Sequence, residues 1–306
     1  MIRIGTRGSA LALWQANHVK ARLEQALGEK VELEIIKTSG DKNTERPLAE
    51  IGAAAGGKGL FVKEIEEALL DRRVSVAVHS SKDLPSKLAD GLAIAAFPER
   101  EDPRDALLVR GGAKSLEALP RGAKVGTSSL RRIAQLKSLR ADVETLDLRG
   151  NVDTRVRKLE DGRYDAIILA IAGLKRMGLA ARANALIPTE QMLPAVGQGA
   201  IAVETRAGDE VAARVARALD HEPTRRAVEA ERAFLATLDG GCQVPVAAHA
   251  TLDGGELRLR GLIGAADGRV VRGVRRGKAA DGPALGRALG EELLAKGGRA
   301  LLDASR

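Results

Sequence analysis

Aromatic side chains are scarce: one Trp, one Tyr and three Phe make up 2% of the 306 residues. Cores must therefore be built mainly from Ala, Leu, Val and Ile. Few rings are left as stacking platforms for nucleic-acid bases. The single cysteine, Cys242, excludes an internal disulfide framework and a Cys-rich zinc site. The four histidines, His18, His79, His221 and His249, lack metal-ligand spacing, so no metal is expected. No window approaches ~18 uninterrupted apolar residues, which argues against a membrane-spanning helix. The opening Met1-Ile2-Arg3-Ile4-Gly5 reads as a strand and not as a secretory signal, so a cytoplasmic location is expected. No G-x-S-x-G elbow of a serine hydrolase occurs.

Positive charge, by contrast, is plentiful. Lys and Arg number 49 against 41 Asp and Glu, a net charge of +8. Of those 49, 15 are lysines and 34 are arginines. The planar guanidinium binds a carboxylate or phosphate through two parallel hydrogen bonds, which an ammonium cannot do. Such an excess points to an anionic partner, unless it merely coats a solvated surface. Where the arginines fall along the chain decides between the two.

Strand-like and helix-like segments alternate through the first two thirds, which reads as βαβ units and mostly parallel sheets. Strands are expected at 2–6, 31–37, 74–78 and 92–97. Ser9 is a plausible N-cap for a helix bearing Leu11, Trp14, His18, Val19 and Leu23 at helical spacing. Residues 39–59 read as a long loop, residues 60–70 as a helix and 79–83 as a polar turn. The charged, proline-bracketed run 98–103 has the character of an inter-domain connection. Further strands follow at 106–109, 124–126, 143–148 and 166–170, with helices at 129–139 and 152–159. Pro194-Ala195-Val196-Gly197-Gln198-Gly199 is a second crossing, leading into a strand at 200–204. From about 222 the pattern changes to a helix (224–238), three hairpin-like strands and a helix from 283, a small α+β domain. The expected division is 1–98 plus 199–218, 104–193, and 222–306.

Ligands of open α/β sheets bind beyond the carboxyl ends of the strands, where helix N-termini point backbone N–H groups outward. Basic and hydroxyl side chains recur there. Arg7 and Ser9 follow the first strand, and Lys82 and Asp83 follow the strand ending at Val78. Thr127, Ser128, Ser129, Arg131 and Arg132 follow Gly126, Arg149, Gly150 and Arg155 follow Leu148, and Lys175 and Arg176 follow Ala170. Evenly scattered surface charge would not repeat at one edge of five strands, so the pattern favours a ligand with several acidic groups. The run from Gly52 to Gly59 nearly fits a phosphate-cradling loop, but Gly59 stands where a Ser or Thr is required. A glycine-rich lid is the better reading. Cys242, in Gly240-Gly241-Cys242-Gln243-Val244-Pro245, reads equally as a small buried hydrophobe or as a nucleophile favoured by a basic loop.

The chain resembles the porphobilinogen deaminase (hydroxymethylbilane synthase) family nearly end to end. The likeness rests on the Gly5-Thr6-Arg7-Gly8-Ser9 and Leu11-Ala12-Leu13-Trp14-Gln15-Ala16 runs, Gly56-Gly57-Lys58-Gly59-Leu60-Phe61, and Ala77-Val78-His79-Ser80-Ser81-Lys82-Asp83-Leu84-Pro85. It continues through Arg100-Glu101-Asp102-Pro103-Arg104-Asp105, Val125-Gly126-Thr127-Ser128-Ser129-Leu130-Arg131-Arg132, Leu148-Arg149-Gly150-Asn151, the 194–199 crossing and the Cys242 loop. One departure stands out: the run Ile51 to Gly59 is about four residues longer than the family's usual isoleucine-glycine-glycine-lysine-glycine, which puts lid geometry and the role of Lys58 in question.

The resemblance implies two doubly wound α/β lobes like those of periplasmic binding proteins, plus the small α+β domain. It implies a monomer that condenses four porphobilinogens head to tail, with loss of ammonia, into hydroxymethylbilane for tetrapyrrole and heme biosynthesis. It also implies one covalent dipyrromethane cofactor per chain, joined to Cys242 by a thioether. Asp83 is then the catalytic residue. Lys82, Asp83, Thr127, Ser128, Ser129, Arg131, Arg132, Arg149 and Gly150 hold the cofactor. Arg7, Ser9, Lys58, Arg149, Arg155, Arg176 and Gln198 hold porphobilinogen and the growing polypyrrole. Two rival readings are weaker: a binding protein without catalysis has no use for Cys242, and a nucleic-acid binder would show steep salt dependence and needs more aromatics.

Overall fold

The computed structural model describes residues 1–42, 61–238 and 244–304. Lys58 and the Cys242 loop, and with them the expected lid, lie outside the described residues. The chain divides into two compact units, Met1–Glu101 with Ala200–Arg225, and Asp102–Gly199 with Arg226–Arg306.

In the first unit, β1 (Ile2–Thr6) leads into α1 (Ala10–Leu27). The Ser9 side chain accepts a hydrogen bond from Ala12 N and starts the helix, and left-handed Gly28 ends it. After β2 (Val31–Ile35) and a short helical turn α2 (Ser39–Lys42) come α3 (Lys63–Leu70), β3 (Val76–Ser80) and β4 (Leu92–Ala96). The sheet order is β2-β1-β3, then the strand Ile201–Arg206, then β4. Four strands run one way, and the strand 201–206 is antiparallel to both of its neighbours. Ile2, Ile4, Val76, Val78 and Val203 pack against Ala16, Val19 and Leu23 of α1 in one core. Burying each such branched side chain contributes about 1.5–3 kcal/mol.

The second unit repeats the plan. Its strands are β5 (Asp105–Val109), β6 (Lys124–Gly126), β7 (Glu144–Leu146), β8 (Ala166–Ala170) and β9 (Ala185–Ile187), in the order β7-β6-β8-β5-β9. Again one strand, β5, opposes the other four. Helices α4 (Leu130–Leu139), α5 (Val152–Glu160) and α6 (Ile171–Arg176) follow β6, β7 and β8. Strand 201–206, now β10, is the first strand after the second crossing, as β5 is the first after the first crossing. The opposed strand of each sheet is therefore the one that opens each new passage of chain.

Beyond β10 come α7 (Glu210–Leu219) and α8 (Glu222–Thr237). A three-stranded antiparallel sheet follows: β11 (Val246–Asp253), β12 (Glu256–Gly264) and β13 (Val270–Lys278). With α9 (Gly282–Leu293) and part of α8 it encloses its own core around Phe234, Leu259 and Leu289.

The mixed α/β plan, the cap at Ser9 and the change of pattern near 222 agree with expectation. One boundary is corrected: His79 and Ser80 belong to β3, and the turn is the 3₁₀ segment Ser81–Asp83. His79 is polar but buried, and its partner lies on β10, 125 positions away in sequence. Helices α6 and α7 and strand β9 were not foreseen, and residues 39–42, expected in a loop, form the helical turn α2.

Candidate functional site

The predicted edge exists within each unit. β1 and β3 are parallel, so Arg7 and the Ser81–Asp83 turn emerge at one end of the first sheet. β6, β7 and β8 are also mutually parallel, and the Thr127–Arg132, Arg149–Arg155 and Lys175–Arg176 groups emerge at one end of the second.

In the first unit these ends form a pocket. Its walls are Arg7, Ser9, Leu11, Ala12, Gln15, Phe61, Val62, Val78, His79, Ser80 and Asp83. The Arg7 guanidinium lies 4.0 Å from the centroid of the Phe61 ring, which holds it by cation–π attraction. Gln15 Nε2 donates to Ser80 Oγ at 2.9 Å, tying α1 to the end of β3. The turn bearing Lys82 and Asp83 is pinned by Ser81 N–H donating to Ala200 O at 3.0 Å. Ser9 Oγ already accepts the α1 capping bond, so its remaining capacity is its own O–H. Gln15, Phe61 and His79 were not singled out from the sequence for this site. The first two sit in runs that read as ordinary helix or loop.

In the second unit two of the arginines turn inward. Arg131 and Arg132, in the first turn of α4, are buried and share one carboxylate. Arg131 Nη1 lies 2.8 Å from Asp105 Oδ2, and Arg132 Nη2 lies 2.7 Å from Asp105 Oδ1. Arg131 also donates to Leu193 O at 2.7 Å. Gln198 Nε2 joins the cluster through Asp105 Oδ1 at 2.9 Å and Pro103 O at 2.7 Å. Complete burial alone would raise the Asp105 carboxyl, but Arg131, Arg132 and their hydrogen bonds hold it well below the usual carboxylate range. Burial, and the second guanidinium beside it, pull Arg131 the other way, below the usual arginine value despite Asp105. One carboxylate cannot neutralise two guanidiniums, so the cluster keeps a surplus positive charge. Asp105 was missed because it falls between the charged connection at 98–103 and the strand expected at 106–109, whereas it heads β5; a charge directly before an apolar strand was the available signal.

Ser128 joins two turns. Its hydroxyl donates to Leu148 O at 2.8 Å and accepts from Leu148 N at 3.0 Å. Thr127 Oγ1 accepts from Ser129 N at 3.3 Å. Arg149 Nε is 3.3 Å from Asp147, and Lys158 Nζ donates to Arg149 O at 2.9 Å. Gly150 has φ +109°, and a Cβ there would sit 2.9 Å from Thr154, so this turn requires glycine. Arg155 Nε donates to Gly150 O at 2.7 Å, and Arg176 Nη2 to Gly199 O at 2.7 Å. The structure thus gathers Arg7, Ser9 and Asp83 in one unit. In the other it gathers Arg131, Arg132 and Gln198 in one cluster and Arg149, Gly150 and Arg155 in a second.

Pyrrole acids fit the buried cluster. Arg132 Nε is buried with no hydrogen-bond acceptor among the described residues, a donor suited to an acetate or propionate carboxylate of a dipyrromethane. No group of residues able to hold a metal ion occurs among the described residues. Nor is any described helix long and apolar enough to cross a membrane.

Comparison with known proteins agrees with the motifs. The family model described as porphobilinogen deaminase, dipyromethane cofactor binding domain, matches residues 2–214, and that of the porphobilinogen deaminase C-terminal domain matches 225–295. The chain is 57% identical to the porphobilinogen deaminase of Roseiflexus sp. (strain RS-1), over 98% of this chain and 97% of that protein. It is 50% identical to that of Syntrophobacter fumaroxidans, over 99% and 97%. Among solved structures, a periplasmic substrate-binding protein of an ABC transporter from Coxiella burnetii aligns with TM-score 0.43 and 17% identity, covering 73% of this chain and 93% of that one. The chain belongs to the porphobilinogen deaminase family.

Proposed function

We propose that this chain condenses four porphobilinogens head to tail, releasing one ammonia per step, to give hydroxymethylbilane. The observation that carries this reading is the single pocket shared by Arg7 and Asp83. A pyrrole bearing two acidic side chains and an aminomethyl group needs a cation for the acids and an anion for the charge that develops as ammonia leaves.

Arg7, fixed over Phe61, offers its fork to a substrate carboxylate, and the free hydroxyl proton of Ser9 adds a second donor beside it. Asp83, on a turn pinned to Ala200, offers carboxylate oxygens to the pyrrole N–H. That hydrogen bond strengthens as positive charge spreads onto the ring nitrogen, so Asp83 stabilises the transition state more than the ground state. In the second unit, Arg131 and Arg132 keep one net positive charge for acidic side chains, and Arg149, Arg155 and Arg176 extend the basic edge. Dipyrromethane, joined to Cys242 by a thioether, supplies a non-hydrolysable primer. The reading assigns the hold on it to these basic clusters together with Lys82, Thr127, Ser128, Ser129, Gly150 and Gln198. Lys58 belongs to the same reading as a residue of the lid. A single cysteine, with no second one in the chain to form a disulfide, suits a reducing compartment, and the reading places the enzyme in the cytoplasm as a monomer acting on small molecules.

Incubation of purified protein with porphobilinogen tests this. The expected result is one ammonia released per porphobilinogen consumed, with a four-ring linear product; binding without ammonia release would instead mark a non-catalytic acid-binding protein.

A further inference from the structure

The reaction proposed above needs a proton acceptor that its named residues do not supply. When the free α-carbon of the pyrrole already in place bonds to the methylene carbon of the next unit, its α C–H must break. Those electrons return to the ring, and the proton must leave. Asp83 is committed at that moment to the pyrrole N–H it stabilises.

The floor of the same pocket holds an unassigned pair. His79, the penultimate residue of β3, lines the pocket and is 6% exposed. Its Nε2 lies 3.0 Å from Oε2 of Glu204 on β10, a side chain wholly shut from solvent that does not line the pocket. Glu204 Oε1 is buried with no hydrogen-bond partner, so His79 is the one group on this carboxyl among the described residues. The residues preceding them in the two strands are Val78 and Val203, both buried and apolar. Two such residues would serve the sheet as well, since a buried polar pair rarely outdoes a hydrophobic one for stability. With Nε2 turned to Glu204, Nδ1 makes no hydrogen bond among the described residues and is the ring nitrogen left to the pocket. A carboxyl behind an imidazole fixes its tautomer and stabilises the imidazolium formed when the ring accepts a proton.

We infer that His79 Nδ1 is the general base for the condensation step, and that Glu204 is the positioning residue behind it. The inference rests on the porphobilinogen reading. The C–C bond forms, the α C–H bond breaks, and its proton passes to Nδ1 and then to solvent or to the departing ammonia. Arg7 and Asp83 are the other charged groups on the pocket wall among the described residues.

Two measurements on the cofactor-bearing enzyme test this. The first is a ¹⁵N spectrum of the histidine side chains; with four histidines, the His79 signal is assigned by its loss in His79→Gln. The expected tautomer carries its proton on Nε2 and leaves Nδ1 bare; a proton on Nδ1 overturns the proposal. The second compares porphobilinogen with its α-deuterated form in the parent, His79→Gln and Glu204→Gln. Losing a general base costs about 10²–10⁴-fold, so kcat should fall by that order in His79→Gln with KM little changed. Both variants should show a primary isotope effect on kcat larger than the parent's. A fall without that isotope effect, or no fall, overturns the assignment. If His79→Gln does not fold, Glu204→Gln, which retains an acceptor for Nε2, carries the kinetic test, and the histidine signal is assigned from the pocket resonance that shifts on adding porphobilinogen. Failure of the parent to consume porphobilinogen would instead sink the functional reading and leave the tautomer as measured.

Discussion

Asp105 Oδ2 and Arg131 Nη1 lie 2.8 Å apart with both side chains closed to solvent. Breaking a buried pair by removing one partner typically costs about 3–5 kcal/mol, because the other charge is left uncompensated. Asp105→Ala leaves two buried guanidiniums facing each other. Chemical denaturation of this variant should show a loss of that order, and a loss below about 1 kcal/mol would mean that water reaches the cluster.

The same carboxyl sets an acid limit. In the folded chain it lies well below the usual carboxylate range, while in the unfolded chain it takes its ordinary value of about 3.9. The unfolded state therefore binds the proton first. The stabilisation is complete above about pH 4 and is lost as the pH falls further towards the folded value. Acid titration should show this loss in the parent and a shallower one in Asp105→Asn, whose own baseline is lower.

Replacing Asp83 by Asn keeps the shape of the side chain and removes its charge. Loss of one preorganised charge-stabilising group costs about 10²–10³-fold in rate, so Asp83→Asn should retain its cofactor and its fold but almost no ammonia release. Near-normal release would remove Asp83 from the mechanism.

Glu231 of α8 is buried and accepts from Gly197 N at 2.7 Å and Ala250 N at 2.8 Å, joining the second crossing to β11. Each buried donor left unsatisfied costs about 1–3 kcal/mol. Glu231→Leu should therefore lower stability by several kcal/mol in the same denaturation assay. Glu231→Gln, whose amide oxygen can accept one of the two bonds, should lose less.

How far the sequence announced all this depends on the kind of contact. The strand-edge rule found Arg7, Asp83, Arg131, Arg132 and Arg149, because a charged residue after an apolar run is a local signal. It did not show that Arg131 and Arg132 turn inward. Their partner Asp105 is 26 and 27 positions away and heads a strand whose other residues are apolar. His79 read as part of a turn because polarity is a local cue, whereas the acid that lets it stay buried in β3 lies on β10. Helix α7 is short and Arg-rich, and its apolar face shows only against the sheet it covers. Pairings across the sheet were thus illegible where residues found one by one were not.

The proposed condensation depends on a primer joined to sulfur. Intact-mass measurement of active, purified enzyme addresses this most directly. The predicted mass exceeds that of the polypeptide by two pyrrole units, with Cys242→Ala lacking the increment and unable to release product. Fully active protein with the bare polypeptide mass would contradict it.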